Sequence, residues 1–90
     1  MALYRQAAAG ADANLQAIAL YKLGWAHYNQ ERYVDAADAF GAVLDLYGSP
    51  RRGEIEADIE GEAGAYLVHS LAGAGGAAAF AAYLDRKSVV

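Results

Sequence analysis

The side chains that could do chemistry are few, and their spacing narrows the chemistry further. His27 and His69 are the only histidines, and there is no cysteine. A histidine metal site needs convergent ligands, such as two histidines one helical turn apart, and neither histidine has such a neighbour. Each reads as a packing histidine. Ser49, Ser70 and Ser88 lack the strand-turn-helix setting and the positioned base of a nucleophile. The glycine cluster at 73–76 has no Lys-Ser/Thr after it and no strand before it, so it is not a phosphate loop. Glu54, Asp58 and Glu62 fall on one face of a helix at i, i+4 and i+8, but without the Asp-rich, glycine-containing loop that calcium sites use. They read as a solvated helix start, partly balanced by Arg51 and Arg52, with a docking edge for a basic partner as the alternative. No catalytic residue, metal or cofactor is expected. A pocket joining either histidine to an acid would bring an enzymatic reading back.

One constellation remains. Tyr21, Trp25, Tyr28 and Asn29 lie at i, i+4, i+7 and i+8 of one predicted helix. Aromatic faces give a large contact area at little cost in rotamer entropy, and an Asn amide can bind a ligand backbone. These four are the candidate partner-binding residues. The competing reading is that a neighbouring helix covers the aromatic stripe as ordinary core.

Helices must position them. Alanine, the best helix former, makes up about a quarter of the chain, and a single proline and sparse β-branched alternation leave little room for strands. The spacing predicts a short helix over residues 2–9 and a second over 15–30, opened by Asp12 or Asn14, with Leu15, Ala19, Leu20, Leu23 and His27 on its apolar stripe. A third covers 33–47, where Ala36, Ala37, Phe40, Val43, Leu44 and Tyr47 keep a clean 3.6-residue period. Ser49-Pro50 reads as N-cap and N1 of a long fourth helix over 51–72, with Gly61 as a weak point. The turn at 73–76 leads to a last helix over 77–86. The fold class is all-α, in one domain spanning residues 1–90.

Composition bounds the partners. The net charge of −4 and seven Lys plus Arg argue against nucleic acid, which needs clustered cations. No apolar run reaches the ~18 residues of a membrane span, so no membrane insertion is expected. Cell envelope, periplasm and cytoplasm all fit. The hydrophobic fraction of 57% overstates the large side chains available to bury, because so much of it is alanine. Close helix crossings, expected at Ala36, Ala39 and Ala77, or a partner's surface must make up the difference.

A shift of forty residues brings out an internal repeat. It places Gly24 on Gly64, Ala37 on Ala77, Phe40 on Phe80, Leu44 on Leu84 and Asp45 on Asp85. The better copy, residues 17–50, resembles a tetratricopeptide repeat (TPR) through Leu20, Leu23, Gly24, His27, Ala36, Phe40 and Pro50. Leu20 stands where the family has Trp, His27 where it has Tyr, and the proline comes two residues late. The run from 19 to 26 is similar to the family's bacterial envelope and motility branch. The resemblance implies antiparallel hairpins stacked as a right-handed solenoid fragment of about two and a half repeats: a partial repeat at 1–13, the best at 17–50 and a degenerate one at 51–86. It implies that Gly24 and Ala36 are small because two helices cross there, and that Tyr21, Trp25, Tyr28 and Asn29 line a peptide groove. It places Tyr4 at the Phe40 position of the preceding repeat. The expected function is a scaffold binding a peptide segment or partner helix. The alternative is self-association into a homodimer or stacked array.

Overall fold

A computed structural model describes residues 12–88, and helices are the regular secondary structure of that span. The predicted helix at 2–9, and with it Tyr4, lies outside the described residues. Helix α1 runs Ala13–Asn29 and α2 runs Tyr33–Tyr47, followed by a 3-10 turn at Pro50–Glu54, then α3 (Glu60–Gly73) and α4 (Ala77–Ser88). Asp12 caps α1, its side chain accepting from the Leu15 amide at 2.8 Å. Short turns make α1–α2 and α3–α4 successive hairpins. The first turns at Glu31, which takes φ 60°, and the second at Gly75 and Gly76, with φ 132° and 73°. Helix α2 is central, packing on α1 along one side and α3 along the other, while α4 rests more lightly on α3 and α2.

The core gathers on α2. Ala36, Phe40, Val43 and Tyr47 join Ala63 of α3, and a smaller cluster joins Ala37 to Leu71 and Tyr83. Ala36 and Ala39 are buried as expected, and Ala13 and Ala17 are buried with them. Gly24 explains itself in the same way: a Cβ there would lie 2.8 Å from the Phe40 ring. Gly24→Ala is therefore expected to destabilise by about 1–3 kcal/mol through overpacking, although alanine favours helix, and a thermal melt checks it. Gly41 is equally tight, against the Tyr83 hydroxyl.

Three expectations are corrected. Ala77 is exposed and marks no helix crossing, because α4 touches its neighbours mainly through Tyr83. Leu15 is 54% exposed, since the helix turns it away from α2. The long helix over 51–72 is broken: Ser49 does act as N-cap, its hydroxyl accepting from the Arg51 amide with Pro50 at N1, but the turn it starts is 3-10 and ends at Glu54. Residues 55–59 then run as a non-helical strap. Glu54, Asp58 and Glu62 consequently share no helix face. The strap's polar groups find distant partners. Asn14 Oδ1 accepts from the Glu56 and Ala57 amides at 2.8 and 3.0 Å, and the Tyr47 hydroxyl donates to the Ala57 carbonyl and accepts from the Ile59 amide. Ile55 and Ile59 pack on the core. The Glu54 carboxyl, held below its usual range by Arg51 and by the Ala13 amide, ties the strap's start to α1.

Candidate functional site

The structure brings Tyr21, Trp25 and Tyr28 together along the seam between α1 and α3. Their neighbours come from farther along the chain. Trp25 lies 4.3 Å, centroid to centroid, from Tyr66 of α3 and 6.2 Å from Phe40 of α2, edge to face. Tyr28 meets Tyr66 and Tyr33 at 5.6 and 5.5 Å, and Tyr21 meets Phe40 at 6.1 Å. These are the offset and edge-on geometries that ring quadrupoles favour. The Tyr21 hydroxyl donates to the Glu62 carboxylate across the seam; burial first, and this bond second, raise its pKa above the ordinary phenol range. All three rings are half-buried, packed against the core cluster, and keep a partial outer surface. Asn29 is exposed at the last residue of α1. The seam has members that the i, i+4, i+7 spacing does not reveal: Tyr66, Glu62, and His69, whose ring stands 5.3 Å from Tyr66.

A second feature lies on the opposite flank of α3. Val68, Leu71 and Ala72 of α3 face Gly76, Ala77 and Phe80 across an open groove of about 330 Å³ whose lining carries no charge. Val68 is 62% exposed and Phe80 50%, with Leu84 at 49% one turn farther along α4. The signal for this groove was in the forty-residue shift, which puts Phe80 on Phe40 and Ala77 on Ala37. The counterparts differ in their cover. Phe40 is fully buried beneath Tyr21, Trp25 and Tyr66, whereas Phe80 stays half exposed and shares the groove with Val68, Leu71 and Ala72 of α3.

A third, smaller cavity of about 180 Å³ between α1 and α2 joins His27 to Asp35 and Asp38 over a floor of Leu20, Leu23, Ala39 and Ala42. Here a histidine and two carboxylates line the same space. Its chemistry is limited by its surroundings. Asp38 is engaged by Arg86 at 2.8 Å, His27 is buried, and the lining holds no hydroxyl, thiol or amine to activate. Burial raises the nearby Tyr83 phenol, while Lys87 works against that rise. Among the described residues no group of three or more His, Asp or Glu could hold a metal ion.

Comparison with protein-family models, with curated proteins and with solved structures finds no match. None of the described helices is long and apolar enough to cross a membrane.

Proposed function

We propose that the chain is a non-enzymatic protein–protein interaction module of TPR-like construction that receives a partner helix in the groove between α3 and α4. The observation that carries this reading is Phe80, half-exposed at the mouth of an uncharged groove while its repeat counterpart Phe40 is fully covered. Within the chain, the equivalent α1–α2 face is filled by α3, whose Tyr66 covers Phe40. A partner helix carrying an aromatic or long aliphatic residue would cover Phe80 in the same manner, as amphipathic helices seat in apolar grooves. The outer surfaces of Tyr21, Trp25 and Tyr28, with Asn29 beyond them, offer a peptide segment a further edge on the other flank of α3. The TPR-like reading is supported by the two successive hairpins, by Gly24 beneath Phe40, and by α3 seated on α2.

Phe80→Ser and Leu84→Ser test the reading. Both positions are about half exposed, so the melt is expected to move little, while capture of a helical partner falls by tenfold or more, on the order of the 1.4 kcal/mol that one buried anchor supplies. Unchanged capture in both variants would remove the groove from the reading. Self-association through the same groove is the second reading, favoured by the absence of charge on its lining. It predicts a dimer by light scattering that Phe80→Ser disperses.

A further inference from the structure

We infer that residues 55–59 are a two-state hinge through which α3–α4 exchanges between two copies of this chain, giving a domain-swapped dimer. The inference rests on the closed seam and the strap, and stands apart from the open groove. In the strap, Ile55, Ala57 and Ile59 are partly buried while Glu54, Glu56 and Asp58 are exposed, the alternation of a half-buried extended segment. The same residues also fit a helix. Ile55 and Ile59 stand at i and i+4, and i+8 is Ala63, which lies buried on the face of α3 that meets the core. One stretch thus satisfies period 2 and period 3.6 together, with Ser49-Pro50 already set to open a helix before it.

What selects the extended state is a small set of distant bonds. Asn14 accepts from two successive strap amides, and Tyr47 brackets Ala57 and Ile59. If the strap becomes helical, its amides are satisfied within the helix, and Asn14 is no longer needed. The helix over 51–72 then spans about 33 Å and carries α3–α4 away from its own α1–α2 hairpin. The vacated face, with Trp25, Phe40 and the Tyr21 hydroxyl, is complementary to one known surface, α3 itself. A second copy supplies that surface with every contact of the seam preserved, as is general for swapped elements, and only the strap's own bonds and packing are given up.

Light scattering on the full chain, after refolding at a series of protein concentrations, tests this. Wild type is expected to be monomeric when refolded dilute and to yield a discrete, slowly dissociating dimer when refolded concentrated. Asn14→Ala, which removes the strap's acceptor, is expected to raise the dimer yield by about tenfold or more. Asp58→Pro blocks a helical strap at a residue whose amide donates no hydrogen bond among the described residues, and is expected to leave a helical monomer at every concentration. Trp25 emission in the dimer should match the monomer, since the second copy's Tyr66 takes the vacated seat. Phe80→Ser separates the readings: a swapped dimer survives it, and a groove-mediated dimer does not. Asn14→Ala monomeric at all concentrations, Asp58→Pro dimerising like wild type, or loss of the dimer in Phe80→Ser would each overturn the inference. If Asp58→Pro fails to fold, the other two variants still decide.

Discussion

Phe40→Ala is expected to cost about 3–4 kcal/mol and to lower the melting temperature by roughly 15–25 °C. The ring is fully buried and sits where three elements meet: Tyr21 and Trp25 from α1 at 6.1 and 6.2 Å, Tyr66 from α3 at 6.0 Å, and the Gly24 backbone beneath it. Removal leaves a hole between rigid rings that cannot lean in without losing their own edge-on contacts, so the site collapses poorly and the cavity contribution stays large. A domain of this size has a total stability on the order of 5–13 kcal/mol, so the variant gives up a large part of it. The matched change Phe80→Ala, at half exposure and with no ring contact among the described residues, should cost under about 1 kcal/mol. Urea melts of the two variants under one condition measure the difference. Equal losses would mean that Phe80 is covered in the free chain.

That contrast between repeat counterparts marks how far the sequence could be read. Helix α2 was legible to the residue, Tyr33–Tyr47, because its large apolar positions keep one period and a glycine follows. The crossing at Gly24 was expected from the repeat resemblance alone, and its physical ground is that only a missing side chain lets the Phe40 ring approach so closely. The strap was not. Local rules permit both helix and extended chain for Ile55 and Ile59, and the choice falls to Asn14, more than forty positions earlier, and to Tyr47. Asp12 and Asn14 both suit the cap of α1 by local rules; Asp12 takes that role, and Asn14 bonds the strap. The same limit applies to the aromatic stripe. Spacing placed Tyr21, Trp25 and Tyr28 on one face, but not Tyr66 against it, because the register of α3 is set by the strap that local rules leave ambiguous. The surface ion pairs of Arg86 with Asp38 and Lys87 with Asp45 close the α4 side, and as exposed pairs they add little to its hold.

Trp25→Ala is the second large effect, expected at about 2–3 kcal/mol of lost stability, somewhat below a fully buried ring because Trp25 keeps part of its surface outside. A free recognition aromatic would come away from the fold at almost no cost, with only partner binding lost. The geometry argues otherwise. Trp25 is in ring contact with Tyr21, Tyr28, Phe40 and Tyr66, so its removal loosens α1 from α2 and α3 together. Phe at this position keeps much of the contact and should restore more than half of the loss. The consequence for function follows from where the loss falls. Trp25→Ala should weaken the closed seat of α3, and with it any partner capture that needs the α3–α4 hairpin in place, even when the partner touches Phe80 and never Trp25. Capture measured well below the variant's melting temperature separates the two roles. Binding that returns on cooling identifies Trp25 as a positioning residue, and binding that stays lost in a fully folded variant places the partner on the aromatic edge itself.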